Sequence, residues 1–102
     1  MKRGELWWAQ VDKRRPVVLV SRDEAYDVRE LVLAVPVSTT VRGFAAEVRL
    51  GRRDGLPKPC VANCDVVGPI PKSSLEERIG ALSPARIRAL DESLGFVLGL
   101  DP

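Results

Sequence analysis

The residues able to do chemistry in this chain of 102 amino acids are arginines and hydroxyl side chains, because the sequence contains no histidine. Histidine is the commonest general base near neutral pH and the commonest transition-metal ligand. Its absence excludes serine hydrolases with a histidine base, cysteine proteases and ribonucleases that use two histidines. No phosphate-binding glycine loop of the Walker or Rossmann kind is present, so we expect no nucleotide cofactor.

The two cysteines, Cys60 and Cys64, do not form a zinc site by themselves, since structural zinc sites use four ligands. On an extended strand they would lie about 13 Å apart, which is too far for a disulfide. We therefore expect reduced thiols that pack in the core, no metal site and no cofactor.

The remaining candidates are an arginine before a proline and a run of hydroxyls after one. Arg15 precedes Pro16, and a residue in that position is held in extended backbone, so its guanidinium is presented in a restricted way to a phosphate. Ser38, Thr39 and Thr40 follow Pro36 at the end of an apolar run, with Ser38 and Thr40 on one face and Thr39 on the other. By residue type alone, a solvated charge and an ordinary strand end remain open interpretations.

Short apolar runs separated by turn residues predict at least five strands to position these groups. An Arg42-Gly43 turn predicts that the third and fourth strands form a hairpin, and the stretch between the fourth strand and residue 60 reads as a loop. The predicted strands cover residues 5–11, 16–21, 30–37 and 44–50, with a further strand pair within 60–70.

The C-terminal part changes to a helical period. Ser83 and Pro84 provide an N-cap and a first-turn proline. Apolar residues then recur every three or four positions and predict an amphipathic helix packed on the sheet. These residues are Ile87, Leu90, Leu94, Val97 and Leu98. The fold class is therefore a β-rich α+β domain.

Length and composition favour one domain spanning residues 1–102. The chain is 45% hydrophobic and 29% charged, and it has no apolar stretch approaching the roughly 18 residues of a membrane span. Without a signal peptide, we expect a cytoplasmic protein. The net charge is +2, and residues 1–60 hold 12 basic and 8 acidic side chains, a surplus that is weak evidence for a nucleic-acid partner.

Five blocks of sequence, in this order, resemble the MazF/PemK family of toxins from type II toxin–antitoxin systems, and they span nearly the whole chain. The blocks are Arg3-Gly4-Glu5-Leu6-Trp7-Trp8, Arg15-Pro16-Val17-Val18-Leu19-Val20-Ser21, Val35-Pro36-Val37-Ser38-Thr39-Thr40, Val61-Ala62-Asn63-Cys64-Asp65 and Arg78-Ile79-Gly80-Ala81-Leu82-Ser83.

The resemblance implies an SH3-like barrel of the MazF/Kid/CcdB type with a C-terminal helix. It also implies a bacterial, cytoplasmic homodimer that cleaves single-stranded RNA at short motifs without a metal, and an acidic, MazE-like antitoxin partner. DNA would be contacted only indirectly, through the antitoxin complex. The family's catalytic arginine falls on Arg15 and its catalytic hydroxyl on Ser38, where serine replaces the usual threonine, so Thr39 is an alternative. The turn between the first two strands is shorter than in many relatives.

The chemistry implied by the resemblance needs no histidine. The 2′-hydroxyl of RNA is a built-in nucleophile, so the protein has only to align it and stabilise charge on the phosphate, leaving a 2′,3′-cyclic phosphate and a 5′-hydroxyl. A guanidinium matches phosphate oxygens in a bidentate manner. The residue that removes the 2′-proton is not identified by the sequence.

Further basic and hydroxyl residues are candidate RNA contacts, and the same surface is expected to attract an acidic antitoxin. They are Arg14, Thr40, Arg42, Arg49, Arg52 and Arg53, with Lys58 nearby. Trp7 and Trp8 are possible stacking platforms, although packing is the alternative role. A gyrase-poisoning toxin of the CcdB type, a catalytically silent binding module and a plain structural domain remain as alternative functions.

Overall fold

The computed structural model describes residues 1–100, so the last two residues of the predicted domain lie outside the described part. The strands and helices in chain order are β1 Glu5–Gln10, β2 Arg14–Leu19, α1 Ala25–Val28, β3 Leu31–Ser38, β4 Glu47–Leu50, β5 Cys60–Asn63, β6 Gly68–Pro71, β7 Leu75–Ala81 and α2 Pro84–Val97. Three short 3-10 turns lie at Arg52–Asp54, Cys64–Val66 and Lys72–Ser74. The predicted β-rich α+β class with a C-terminal helix is confirmed.

The strands form an antiparallel sheet in the order β4-β5-β3-β2-β1-β7, and β6 pairs with β3 outside this order. Strand β3 is the shared element. Its first half, Leu31 to Ala34, pairs with β6, while Val37 and Ser38 pair with β5. The strand therefore joins the part of the sheet that contains β6 to the part that contains β4 and β5, and the change of partner lies next to the hydroxyl run.

The predicted hairpin between the third and fourth strands is wrong. Strand β4 pairs with β5, and β5 lies between β4 and β3. The connection after Ser38 curls locally instead, because the Glu47 carboxylate accepts hydrogen bonds from the backbone N–H groups of Arg42, Gly43 and Phe44. Those donors are consumed within the loop and are not available to extend a two-stranded ladder.

The region 60–70 contains two strands as predicted, but they do not pair with each other. Both β5 and β6 pair with β3, and a 3-10 turn separates them. Strand β7 was not predicted, because its sequence carries three charged residues and a glycine. It pairs with β1 alone, at the edge of the sheet, where such residues remain exposed.

Two apolar clusters lie on opposite faces of the sheet. Val18 and Val35 contribute to the cluster beneath α2, whereas Val17 and Leu19 contribute to the cluster beneath α1 and β6. Because β2 is covered on both faces, its apolar residues form a continuous run and do not alternate with polar residues. This double burial fixes the register of the strand that carries Arg15.

Helix α2 has the predicted start. Pro84 occupies its first turn, and Ser83 Oγ accepts a hydrogen bond from the backbone N–H of Arg86 at 3.2 Å. Leu90 is fully buried, but Leu98, a predicted member of the apolar stripe, is 58% exposed. The helix ends before it, and Gly99 takes a positive φ of 69° that reverses the chain. Within residues 1–100, no helix is long and apolar enough to cross a bilayer.

Candidate active site

Arg15 lies beside a cavity of about 240 Å³ at the end of β2. The cavity is floored by apolar residues of β2, β3 and β6 and is bordered by the turn between β1 and β2. Its lining residues are Val11, Asp12, Arg15, Val17, Ala34, Pro36, Val66, Gly68, Pro69 and Ile70. Asp12 and Arg15 are the charged residues of this lining, so an ion pair lies over an otherwise apolar surface.

The Arg15 guanidinium is only partly engaged. Its Nη2 lies 2.9 Å from Asp12 Oδ2, and its side chain is 23% exposed. Its Nε is buried and has no hydrogen-bond partner among residues 1–100. A buried donor without an acceptor is costly. The guanidinium is thus incompletely satisfied by protein groups, and a guanidinium is a group that binds phosphate oxygens in a bidentate manner.

Asp12 is held by its own turn. Its Oδ1 accepts a hydrogen bond from the Lys13 backbone N–H at 2.9 Å, while Oδ2 faces Arg15. Partial loss of hydration acts to raise the pKa of Asp12. Backbone hydrogen bonds and the positive charges of Arg15 and Lys13 outweigh that effect, so the pKa lies below its ordinary value. Asp12 is therefore a carboxylate at neutral pH.

The hydroxyl run is anchored by β5. Ser38 is the last residue of β3, pairs with Val61, and its Oγ accepts the Thr40 backbone N–H at 3.0 Å. The Ser38 hydroxyl proton remains able to donate to another acceptor. Thr39 is exposed and borders, with Ser38, a second cavity.

Register relates Arg15 to Ser38. The pairing between β2 and β3 ends at Val17 opposite Pro36, and Arg15 and Ser38 each lie two residues further along their strands. Antiparallel pairing and alternation direct both to the same end and the same face of the sheet. Among the described residues they do not bond each other, since Arg15 bonds Asp12 and Ser38 bonds Thr40.

The second cavity has a volume of about 140 Å³ and is almost wholly apolar. It is lined by Trp8, Pro16, Val37, Ser38, Thr39, Leu56, Pro57, Lys58 and Cys60. The Arg14 guanidinium lies 4.4 Å from the centre of the Trp8 ring and pairs with Glu76 at 2.9 Å. Arg14 is thus already held by a cation–π contact and an ion pair, which distinguishes it from Arg15.

The other predicted RNA contacts lie apart from the Arg15 cavity. Arg42, Arg49, Arg52 and Arg53 are exposed and line neither of the two cavities described above. Arg53 borders a separate cavity near the start of α2. Thr40 is exposed, and its backbone N–H is bonded to Ser38. Within one chain they therefore do not line this cavity with Arg15, and their role as RNA contacts stays a prediction.

Asp12 borders the cavity beside Arg15, and the sequence analysis did not identify it as a site residue. The available signal was its spacing, three residues before Arg15 across a short turn. That spacing places a carboxylate within ion-pair distance of the guanidinium. The apolar floor was also unpredicted, since it depends on β6 pairing with β3.

The cysteines have the predicted packing role. Both are buried and unbridged. Burial, aided by the charge of Asp65, raises the pKa of the Cys64 thiol to about 11, and burial with the charge of Asp54 also raises the pKa of Cys60. Cys64 lies in a 3-10 turn after β5, so the extended-strand assumption was wrong for it.

The chain is similar in sequence to proteins of one known family. Residues 2–98 match the family model described as PemK-like, MazF-like toxin of type II toxin–antitoxin system. The chain is 39% identical over 93 residues to the endoribonuclease MazF3 of Mycobacterium tuberculosis, covering 91% of this chain and 90% of that protein. It is 39% identical over 95 residues to the probable endoribonuclease MazF5 of the same species, covering 90% and 87% of the two chains.

Two solved structures share the fold. The Mycobacterium tuberculosis toxin MazF-mt6 superposes with a TM-score of 0.91 at 37% identity, covering 96% of this chain and 99% of that one. A mycobacterial endoribonuclease in complex with its cognate antitoxin superposes with a TM-score of 0.91 at 26% identity, covering 100% and 98%. The barrel expected from the sequence blocks is therefore the observed fold.

Proposed function

The chain belongs to the PemK-like, MazF-like toxin family of type II toxin–antitoxin systems, and from this premise we propose that it is an endoribonuclease that cuts single-stranded RNA through Arg15 and a hydroxyl of β3. One observation supports the catalytic role of Arg15. Its side chain borders the 240 Å³ cavity, and its buried Nε has no hydrogen-bond partner within residues 1–100. We take residues 1–102 as one toxin domain.

The proposed reaction uses the substrate's own 2′-hydroxyl. Arg15 binds the non-bridging oxygens of the scissile phosphate and stabilises the charge that builds on them as the 2′-oxygen attacks phosphorus. The products are a 2′,3′-cyclic phosphate and a 5′-hydroxyl. Because DNA lacks the nucleophile, the same site does not cut it. No step in this sequence calls for a metal ion.

Ser38 is the preferred hydroxyl. The register of β2 and β3 supports a location on the same face and at the same end of the ladder as Arg15, and its Oγ is held by the Thr40 N–H with the proton free to donate. Thr39 alternates to the other face and is the second candidate. The Arg14, Thr40, Arg42, Arg49, Arg52 and Arg53 side chains are proposed as outer contacts for the RNA backbone.

The proposed partners follow from the relatives. One relative's structure is a complex with its cognate antitoxin, and we expect an acidic antitoxin to bind this chain, with contact to DNA arising only through that complex. We also propose a cytoplasmic homodimer. The gyrase-poison and silent-module alternatives are not favoured, because the named relatives are endoribonucleases.

The test incubates purified protein with mixed-sequence single-stranded RNA in EDTA and maps the cut positions and the product ends. We expect cuts at a short motif with cyclic-phosphate ends. Arg15→Ala and either Ser38→Ala or Thr39→Ala should lose activity. Arg88→Ala is the matched control, because Arg88 is an exposed arginine on α2 that lines neither cavity. Intact RNA at high protein concentration, or full activity in Arg15→Ala, would contradict the proposal.

A further inference from the structure

We propose that the cavity of about 140 Å³ between Trp8 and the loop that joins β4 to β5 binds one pyrimidine base of the RNA, beside the phosphate that is cut. This inference rests on the endoribonuclease function proposed above and names one determinant of its sequence preference. The observation behind it is the position of the cavity, because Ser38 and Thr39, the two candidate catalytic hydroxyls, form part of its lining.

The size of the cavity matches one six-membered aromatic ring. Apolar cavities of about 150 Å³ in proteins stay free of water and take up benzene. The cavity here has a volume of about 140 Å³, so it has room for the single ring of a pyrimidine. A purine has two fused rings and would require the walls to move, which a close-packed protein resists. We therefore expect the cavity to select bases by size.

The lining of the cavity suits the flat, apolar face of a base. Trp8, Pro16 and Pro57 contribute rings to it, and stacking on an aromatic side chain stabilises a bound base whatever its identity. Burial, together with the charge of Asp54, raises the pKa of the Cys60 thiol, so this lining group is uncharged near neutral pH. The walls therefore bind the ring through stacking and burial of apolar surface.

The polar edge of the base is accommodated at the mouth of the cavity. The edge of a pyrimidine carries oxygen and nitrogen atoms, which are costly to bury without hydrogen-bond partners. Thr39 and Lys58 line the cavity and are both exposed, so these two polar residues lie where the cavity meets solvent. A hydroxyl or an ammonium can donate to the 2-carbonyl oxygen that uracil and cytosine share. The cavity therefore distinguishes pyrimidines from purines and accepts both pyrimidines.

The strands place this cavity next to the proposed site of cleavage. Pro16 follows Arg15 on β2, Val37 precedes Ser38 on β3, and both Pro16 and Val37 line the cavity. Strand alternation directs Pro16 and Val37 to the face opposite Arg15. Ser38 ends β3 and borders the cavity from the end of the strand. A nucleotide whose phosphate binds Arg15 can therefore extend its base past Ser38 into the cavity.

The Trp8 wall is held in place before RNA binds. The Arg14 guanidinium lies 4.4 Å from the centre of the Trp8 ring, and Arg14 pairs with Glu76 of β7 at 2.9 Å. Trp8 also lies opposite Pro16 in the ladder of β1 and β2. A ring that is already ordered loses little conformational freedom when a base stacks on it, which favours binding. Trp8 is therefore a preorganised wall of the base site.

The first part of the test varies the RNA and keeps the wild-type protein. RNAs with the mapped cleavage motif carry uracil, cytosine, adenine, guanine or no base at each of the two nucleotides that flank the cut. The measured quantities are kcat/KM for cleavage in EDTA and the affinity for uncleavable versions with 2′-deoxyribose at the cut. At one of the two positions, uracil and cytosine should exceed adenine and guanine by about tenfold or more. Removal of the base there should lower kcat/KM by about 5- to 150-fold.

The second part changes the cavity. Cys60→Met narrows it and Cys60→Ala widens it, whereas Cys64→Ala removes a second buried thiol that lines neither cavity and is the matched control. In Cys60→Met, removal of the base should lower kcat/KM by less than about threefold, because the base no longer gains from the cavity. Cys60→Ala should reduce the preference for pyrimidines by about threefold or more. Cys64→Ala should keep the wild-type preference, and thermal unfolding checks that each variant folds.

Three results would overturn the assignment and leave the endoribonuclease intact. The first is cleavage of purine RNAs as fast as pyrimidine RNAs at both flanking positions, and the second is removal of either base without effect. The third is a change in the Cys60 variants that is equal for every base and for RNA without the base, which would show that Cys60 acts only through the fold. If wild-type protein leaves every RNA uncut, the proposed function falls, and the affinities for the 2′-deoxy RNAs decide the cavity assignment by the same criteria.

Discussion

Replacing Arg15 with lysine tests whether the shape of the guanidinium matters in addition to its charge. Arg15 offers Nε, which has no partner among the described residues, and Nη2, which touches Asp12 at 2.9 Å. A phosphate bound by both edges receives two charge-assisted hydrogen bonds. An ammonium provides a point charge and loses the second directed bond. One such bond contributes about 1.5–3 kcal/mol, which corresponds to about a 10- to 150-fold loss in kcat/KM.

The assay is kcat/KM for a fluorescent single-stranded RNA carrying the mapped motif, measured in EDTA. Arg88→Lys is the matched control, because Arg88 is an exposed arginine on α2 that lines neither cavity. Its kcat/KM should change by less than about threefold, as expected for an exposed charge that does not contact the transition state. An Arg15→Lys enzyme as active as wild type, or an equal loss in both variants, would refute the bidentate role.

Three further outcomes are expected. Leu90→Ala, at a fully buried position on α2, should lower the free energy of unfolding by about 2–5 kcal/mol in urea titrations, and a loss below about 1 kcal/mol would contradict the packing described for the helix. Hydration loss raises the pKa of Glu47, but N–H donors from the loop outweigh it and hold the pKa below its ordinary value of 4.5. The stability that Glu47 adds relative to Glu47→Gln should therefore be present near pH 7 and shrink as pH falls through 4.5 and below, and a difference that grows in acid would exclude the loop role. Cys60 and Cys64, buried with raised pKa values, should resist iodoacetamide at pH 8 until urea unfolds the protein, and rapid labelling of folded protein would contradict their burial.

The local elements could be predicted from the sequence because their signals are local. The Ser83-Pro84 start of α2 depends on a side chain and a ring that act within one turn. The short apolar runs of β1, β2 and β3 indicate strands more clearly than any other structure. Their ends differ from prediction by one or two residues, which is within the usual uncertainty of strand ends.

The strand partners could not be predicted, because pairing depends on distant residues. An apolar run following Arg42-Gly43 suggested a hairpin, yet the carboxylate of Glu47 folds that loop onto itself and β5 enters between β3 and β4. β7 was not recognised as a strand, because the charged residues that an edge strand exposes interrupt its apolar pattern.

The candidate site divides in the same way. Arg15 and Ser38 were assigned from the resemblance. Their location at the same end of the β2–β3 ladder depends on the register between the two strands, which cannot be read from the sequence. The apolar floor exists only because β6 pairs with the first half of β3. The structure identifies Asp12 as a residue of the site, because its carboxylate forms an ion pair with the Arg15 guanidinium.

The attachment of β3 to three neighbours has a consequence for how such a protein diversifies. Ser38 is fixed by pairing with β5, and the strand before it is fixed by β2 and β6. The loop from residue 39 to residue 46 begins after these paired segments, and Glu47, Ser93 and Cys64 hold it through hydrogen bonds. We expect insertions and substitutions there to leave the position of Ser38 unchanged, so that a lineage can vary this loop while the proposed catalytic hydroxyl stays in place.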